Sequence, residues 1–305
     1  MRIAVMGAGS TGGYFGGMLA RAGNDVSLIA RGAHLQAIRA DGLRVVRDDE
    51  EFTVQCLASD DPKTIGPVDL VLLNVKTYQN EQAIIAMSPL IGTNTSVLCL
   101  QNGIDSYQAA ARAFGDEKVL PGAAYIEAGT LSPGVVRQAG SVVRIVFGEV
   151  DGSQSSRGRT ILETLTAAAI PAELSNDIRT GLWSKFLFIA TMAGVTSLAR
   201  QTLAELMPRP EWREVVLGCL REIEAVGRAS EVNFPTAIHD ETVAYIDSNL
   251  ADLQASMHSD IMKGRPLELE ALNGAVIRAG RATQIPTPIN DVIYAMLKPL
   301  EKGTS

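Results

Sequence analysis

A glycine-rich loop near the start of the chain constrains the fold more than any other stretch. Residues 7–12 read Gly-Ala-Gly-Ser-Thr-Gly and follow the apolar run Arg2–Met6, which is typical of a buried strand. The small-residue stretch 13–22 comes next and is typical of a helix. Between a strand and a helix, a G-x-G-x-x-G loop allows a tight turn, a close approach of the backbone to a pyrophosphate, and close helix–strand packing. The pattern therefore predicts a dinucleotide-binding βαβ unit.

The loop and the end of the second strand indicate how a dinucleotide is held. NAD sites usually place Asp or Glu at the end of the second strand for the ribose diol. Here the predicted strand 25–30 is followed by Arg31. A guanidinium there pairs well with a 2′-phosphate, so we expect NADP(H); the alternative is a solvated arginine at a strand end. The phosphate-binding residues expected from the loop are Gly7, Gly9, Ser10, Thr11 and Gly12.

Composition and charge exclude several classes of partner. The 305 residues offer room for two cores, and 27 basic against 34 acidic residues give a net charge of −7, which argues against binding nucleic acid or an anionic membrane. The cysteines Cys56, Cys99 and Cys219 lack metal-site spacing. The first apolar run ends at Met6, unlike a signal peptide, and no later stretch approaches membrane-span length. We expect a cytoplasmic protein that uses no metal.

The periodicity of the chain changes at residue 175. Strands alternate with helices and turns over residues 1–175, which predicts an α/β, Rossmann-type doubly wound sheet domain. Helical patterns alone fill residues 176–305, which predicts an all-helical domain with a cleft between the two. Locally, we predict a hairpin-like pair at 43–46 and 52–57 around the acidic turn 48–51, an irregular connection at 129–140, and a helix at 267–281.

Polar residues follow two predicted central strands. Lys76 stands at the end of the apolar run 69–75, and Asn102 follows the run 96–100. The carboxyl ends of parallel strands form the ligand-binding edge of an open α/β sheet, so both are candidate cofactor or substrate contacts. A solvated lysine and a turn-forming asparagine are the alternatives.

Lys185 is the most unusual residue of the second half, because it lies in an apolar helix beside Trp183 and Phe186. Burying an unpaired ammonium is costly, so Lys185 either extends to the surface or lines a polar cleft with an acidic partner. In a cleft it can polarise a ketone oxygen and supply a proton. The best acidic partner is Glu268, which we predict to open a helix; Ser256 and Asp260 share a face if their segment is helical.

Taken together, these residues resemble the ketopantoate reductase (2-dehydropantoate 2-reductase) family. The resemblance implies a Rossmann domain followed by a helical domain like that of 6-phosphogluconate dehydrogenase. It also implies NADPH-dependent reduction of a 2-oxo acid, 2-dehydropantoate, to its 2-hydroxy acid, pantoate, in pantothenate and coenzyme A synthesis. The motifs that carry it are GAGSTG at 7–12, Arg31, VKTYQ at 75–79, QNG at 101–103, LWSKF at 182–186, SMHSD at 256–260 and the segment from Glu268 to Gly274.

The resemblance also implies roles for individual residues. Lys185 matches the catalytic lysine and Glu268 the acidic residue that works with it. Lys76 and Asn102 match residues near the nicotinamide, Asn102 and Lys185 also contacting the substrate, and Ser256 matches a substrate-carboxylate contact.

The chain departs from the family where asparagines contact the substrate. Apolar side chains replace these amides, which predicts a less polar pocket. The alternatives are therefore a reductase of a more apolar 2-oxo acid, a dehydrogenase of the same plan acting on a hydroxy acid or an imine, and a non-catalytic NADP(H)-binding redox sensor. The helical domain can supply a homodimer surface, although no exposed stripe shows one. The replaced positions are Ile189, Ala193 and Leu253, with another asparagine missing near Leu203.

Overall fold

The chain is divided into two compact units. A computed structural model describes residues 1–47, 50–250, 253 and 255–303. The first unit contains Met1–Gln101 and Ser106–Ile178, and the second contains Asn102–Asp105 and Arg179–Ser305. The chain thus leaves the first unit after Gln101, returns at Ser106, and enters the second unit again at Arg179.

The first unit is built on one mixed sheet with helices between its strands. In the described part of this unit the helices are α1 Ser10–Arg21, α2 Gly32–Asp41, α3 Asn80–Met87, α4 Gln108–Phe114 and α5 Ser156–Ala167. The strands are β1 Arg2–Met6, β2 Asp25–Ile29, β3 Leu43–Val46, β4 Glu51–Val54, β5 Leu57–Ser59, β6 Val68–Leu73, β7 Ile91–Cys99, β8 Val119–Ser132, β9 Val135–Phe147 and β10 Ala172–Leu174.

Six strands form a parallel sheet in the order β5-β2-β1-β6-β7-β8. Near-continuous apolar runs such as Val68–Leu73 suit strands that are covered on both faces, and five of these six residues are buried. The chain runs from β1 to β2 on one side, whereas β6 adjoins β1 on the other. The strand order reverses at this point, and open α/β sheets bind ligands at such a switch. The predicted Rossmann-type sheet is confirmed.

One long hairpin corrects the prediction for residues 129–140. These residues belong to β8 and β9, which pair antiparallel from Gly122 opposite Phe147 to Ser132 opposite Val135. The outer half of this hairpin is largely exposed and mixes polar, small and apolar residues, so it lacks the apolar run by which a buried strand is recognised. Strand β9 also pairs parallel with β3 and β10. The sheet is therefore mixed, because β9 is antiparallel to β8 and β4 is antiparallel to β3.

The predicted pair at 43–46 and 52–57 is confirmed only in part. Strands β3 and β4 are antiparallel, but β4 ends at Val54. Residues Leu57–Ser59 form a separate strand that pairs parallel with β2, because the chain turns away to join the parallel sheet. Asp48 and Asp49, at the centre of the predicted acidic turn, lie outside the described residues.

The second unit is helical, as predicted, and its described residues contain no strand. Aromatic and aliphatic side chains of α6 form much of its core, where Trp183 packs edge-on against Phe186 and Phe234. Its helices are α6 Ile178–Ala199, α7 Leu203–Leu206, α8 Pro210–Ala229, α9 Ile238–Asn249, α10 Ser256–Met262, α11 Asn273–Thr283 and α12 Pro288–Leu297.

Helix α6 corrects the expectation that no stretch approaches membrane-span length. Its 22 residues, with a mean hydropathy of 1.4 in the best window, are long and apolar enough to cross a membrane by length and composition. The polar residues Ser184 and Lys185 do not interrupt the helix. Within the protein, 67% of that window is buried, which is typical of a core helix.

Candidate active site

The glycine-rich loop of residues 7–12, called the nucleotide loop below, contains three glycines that differ in why a larger residue would not suit the position. Gly7 has φ +99°, and a Cβ there would lie 2.8 Å from the Val75 backbone nitrogen. A Cβ at Gly12 would lie 2.2 Å from the Gly7 carbonyl oxygen. At Gly9, by contrast, a Cβ would have no atom within 4 Å. The fold itself therefore requires Gly7 and Gly12, whereas the open space at Gly9 suits the approach of a ligand such as a pyrophosphate.

The start of α1 is a suitable anion site. The helix begins at Ser10, and no side chain caps its first amides. Its first turn contains Ser10 and Thr11 but no acidic residue. The amides of a first helical turn lack intrahelical partners, and the helix dipole favours a negative charge beside them. The loop and helix start therefore fit the phosphates of a dinucleotide.

Arg31 lies two residues after the end of β2, close to where the sequence places it, and occupies the N-cap position of α2. Its side chain is exposed, and it makes no hydrogen bond or ion pair with the described part of the chain. The guanidinium is therefore available to a ligand phosphate.

His34 supports the nucleotide loop, a role that the sequence did not indicate. The Gly134 amide donates a hydrogen bond to Nδ1 of His34 over 3.0 Å, so the ring proton is on Nε2. Nε2 donates to the Ala8 carbonyl over 2.8 Å. This imidazole ties the loop to the tip of the β8–β9 hairpin, which only the folded chain brings together.

Lys76 is half-buried at the carboxyl end of β6. It precedes a short 3-10 turn, Thr77–Gln79, and lies on the loop that Gly7 approaches through Val75. Lys76 and the glycine loop therefore flank the strand-order switch. The sequence predicted that each follows a strand, and the strand order shows that the two strands are neighbours.

The second unit brings together Lys185, Asn102 and Glu268. The Lys185 ammonium donates a hydrogen bond to Oδ1 of Asn102 over 3.0 Å. Burial lowers the pKa of Lys185 to about 8, and the nearby Glu268 carboxylate opposes this shift by favouring the charged form. Lys185 therefore has polar partners, and of the two alternatives for it the structure favours a polar site with an acidic neighbour over extension to the surface.

Glu268 is 4% exposed, and its backbone position corrects a prediction. Helix α11 begins at Asn273, so Glu268 lies in the preceding turns and does not open the helix. Its neighbours Leu267 and Leu269 are buried as well, so three consecutive residues of this turn segment lie inside the unit. A buried carboxylate requires a cationic or hydrogen-bonding partner, and Lys185 supplies a positive charge.

Ser256 is the first residue of α10 and is exposed. The helical segment predicted to place Ser256 and Asp260 on one face is confirmed, and Asp260 is buried. No hydrogen bond joins Ser256 to Lys185 or Glu268 in the described part of the chain. Its contact with a substrate carboxylate stays a prediction.

The positions that carry apolar residues in place of family asparagines belong to the core of the second unit. Ala193 and Leu203 are buried in that core, and Ile189 and Leu253 pack against it. No cluster of His, Cys, Asp and Glu suited to a metal is found among the described residues.

The two units correspond to two matched family models. Residues 3–152 match the model described as ketopantoate reductase PanE/ApbA, and residues 177–301 match its C-terminal companion. The chain belongs to the ketopantoate reductase family. The family resemblance inferred from the motifs is thereby confirmed.

Individual members of the ketopantoate reductase family and its structural neighbours are similar over the full chain. A 2-dehydropantoate 2-reductase of Mesorhizobium japonicum is 31% identical, with 99% of both chains covered. The crystal structure of a PanE/ApbA family ketopantoate reductase from Ralstonia eutropha JMP134 has a TM-score of 0.91, at 32% identity and 99% and 98% coverage. D-mandelate dehydrogenase with NADH and anilino(oxo)acetate has a TM-score of 0.90, at 26% identity and 99% and 98% coverage.

Proposed function

We propose that the protein reduces 2-dehydropantoate to pantoate with NADPH. The observation that carries the proposal is the group of Lys185, Asn102 and Glu268 in a chain of the ketopantoate reductase family. A lysine with a pKa of about 8 is a stronger acid than an ordinary lysine and is still largely protonated at neutral pH. These are the properties that a proton donor to a ketone needs.

The chain supplies binding, orientation and the proton. NADPH, when bound, supplies the hydride that reaches C2 of the 2-oxo acid. The Lys185 ammonium donates a hydrogen bond to the ketone oxygen, stabilises the negative charge that develops on it, and gives it a proton. Oδ1 of Asn102 orients the ammonium, and Glu268 favours its charged form before the reaction. Ser256 is proposed to contact the substrate carboxylate.

Most of the cofactor residues are proposed from their positions in the first unit. The 7–12 loop and the start of α1 receive the pyrophosphate, Arg31 pairs with the 2′-phosphate, and Lys76 contacts the nicotinamide side. Asn102, which belongs to the second unit, is proposed as a nicotinamide contact from the family resemblance. D-mandelate dehydrogenase, a structural neighbour, binds NADH. Arg31 is the feature of this chain that favours NADPH, because a 2′-phosphate offers a charge that a guanidinium can pair with.

The substrate is a small molecule, and we propose that the enzyme works in the cytoplasm. Among the described residues, the one helix that satisfies the length and composition test for a membrane span is largely buried. The net charge of −7 gives nucleic acid no general electrostatic attraction.

Loss of NADPH absorbance with purified protein and 2-dehydropantoate tests this function. The panel includes phenylglyoxylate and branched apolar 2-oxo acids, and an imine as a different reducible group. We expect 2-dehydropantoate to have the highest kcat/KM. A higher kcat/KM for an apolar 2-oxo acid would contradict the assignment of 2-dehydropantoate as the substrate, but it would agree with the proposed reduction of a 2-oxo acid. NADPH binding without turnover of any compound would contradict the reaction and support a redox sensor.

A further inference from the structure

Two amide side chains link the carboxyl ends of two central strands in the first unit. Gln101, two residues after the end of β7, donates from Nε2 to the Val75 carbonyl, two residues after the end of β6, over 2.6 Å. The same Nε2 donates to Oδ1 of Asn80, the first residue of α3, over 2.6 Å. Asn80 in turn donates from Nδ2 to the Ser106 carbonyl over 3.4 Å. We call Gln101 and Asn80 the amide pair.

Backbone carbonyls fix the orientation of both amides. Because the Val75 carbonyl only accepts hydrogen bonds, Gln101 must direct its NH₂ group toward it. Because the Ser106 carbonyl also only accepts, Asn80 directs its NH₂ group there and its oxygen toward Gln101. The hydrogen bonds therefore run in one direction from Gln101 through Asn80 to Ser106.

The backbone atoms held by the amide pair adjoin two proposed site residues. The Val75 carbonyl belongs to the peptide bond that leads into Lys76. Gln101 and Ser106 are the residues of the first unit on either side of Asn102–Asp105, the segment that carries Asn102. Asn80 therefore connects both ends of that segment within the first unit.

The burial of Gln101 indicates that its amide group has a specific role. Its side chain is 6% exposed, and its Oε1 is buried without a hydrogen-bond partner in the described part of the chain. An apolar side chain at this position would avoid the cost of that oxygen. The neighbouring Leu98 and Leu100 are apolar and buried, so an amide here needs a reason other than filling space.

We infer that Gln101 and Asn80 are positioning residues that hold Lys76 and Asn102 for the reaction. The inference rests on the proposed function, in which Lys76 and Asn102 contact the nicotinamide side. A displacement of about 1 Å in groups that orient a cofactor or substrate can reduce turnover by about a hundredfold. Neither amide has to contact a ligand for its loss to have this effect.

Gln138 offers a matched control in the same unit. Its side chain is 4% exposed, and its Nε2 also donates two hydrogen bonds, to the carbonyls of Ala139 and Gly140, each over 2.6 Å. Gln101→Met and Gln138→Met therefore remove the same groups from similarly buried sites. We expect similar decreases in Tm, but only Gln101→Met lowers kcat/KM for 2-dehydropantoate, by about tenfold or more. Equal kcat/KM values for the two variants would overturn the inference.

Asn80→Ala provides a second route if Gln101→Met does not fold. It removes the acceptor of Gln101 and the donor to Ser106, and it too should lower kcat/KM about tenfold. If both variants fold, the kcat/KM of the double variant should be no lower than that of the less active single variant, because the two residues act as one unit. Losses that multiply in the double variant would contradict a shared role.

NADPH binding separates failure of the inference from failure of the proposed function. A wild-type protein that binds NADPH but does not reduce 2-dehydropantoate would contradict the function. Fluorescence titration with NADPH would then still test the amide pair through Lys76, with a Kd raised about threefold or more in Gln101→Met and unchanged in Gln138→Met. An unchanged Kd in both would overturn the inference.

Discussion

The ammonium of Lys185 donates a hydrogen bond to the amide oxygen of Asn102 over 3.0 Å, although 83 residues separate them in the chain. Asn102 lies on a segment that follows a Rossmann strand but is part of the helical unit. A second contact of this segment is the ion pair of Asp105 with Arg278 over 3.2 Å. The helical unit thus contains both the proposed proton donor and the amide that orients it.

Replacing Lys185 by Met should lower kcat for 2-dehydropantoate by about two to four decades, the usual loss when a general acid is removed. NADPH Kd should change less than about twofold, since the nucleotide loop belongs to the first unit. Lys298→Met is a suitable control, because Lys298 is a half-exposed lysine whose ammonium pairs with Glu270 and Glu301. Steady-state kinetics and NADPH titration make the comparison, and normal turnover in Lys185→Met would exclude its catalytic role.

The rate of reduction should decrease as the pH rises through about 8. Lys185 must be protonated to act as the acid, and burial lowers its pKa to about 8. Oxidation of pantoate should show the reverse dependence, because the neutral amine then accepts the proton. Glu268→Gln removes the charge that raises the pKa, so its midpoint should lie below that of the wild type. Profiles of kcat against pH in both directions measure this, and an unchanged midpoint in Glu268→Gln would contradict the pairing.

Two alanine variants of the nucleotide loop should fail in different ways. Gly9→Ala places its Cβ in open space, so its stability should change by less than about 0.5 kcal/mol. Its NADPH Kd should nevertheless rise about tenfold or more, since the methyl group occupies the path of the pyrophosphate. Gly12→Ala places its Cβ 2.2 Å from the Gly7 oxygen and should cost about 1–3 kcal/mol. Thermal unfolding and NADPH titration distinguish them; tight NADPH binding by Gly9→Ala would place the cofactor elsewhere.

Arg31→Ala should reduce the preference for NADPH over NADH. Removing the charge-assisted bonds to a 2′-phosphate should raise KM for NADPH by about ten- to a hundredfold and leave KM for NADH nearly unchanged. Arg39→Ala is the matched control, because Arg39 lies on the following helix and bonds to Ala58 and Asp60. Kinetics with both cofactors test this, and equal losses with NADPH and NADH would argue against a phosphate contact.

Local sequence patterns were sufficient to predict the main elements of both units. The β1-loop-α1 element, the buried strand β6 and the helical second half were predicted correctly, because apolar periodicity and glycine spacing report directly on backbone conformation. The predictions were wrong where burial does not follow local periodicity. The outer part of the β8–β9 hairpin is exposed, and the turns around Glu268 are buried although they are not helical.

The sequence by itself determined the glycine-rich loop between β1 and α1, the two-part architecture and the family, because these depend on residue types at fixed spacing. Only the tertiary structure decided which polar groups meet. Lys185 gains Asn102 and Glu268 as partners from segments 83 residues away on either side. Gln101, Asn80 and His34 gain their hydrogen-bond partners only when separate segments are packed together. A side chain's pKa and hydrogen bonds depend on burial and on remote neighbours, which packing brings together and local sequence does not specify.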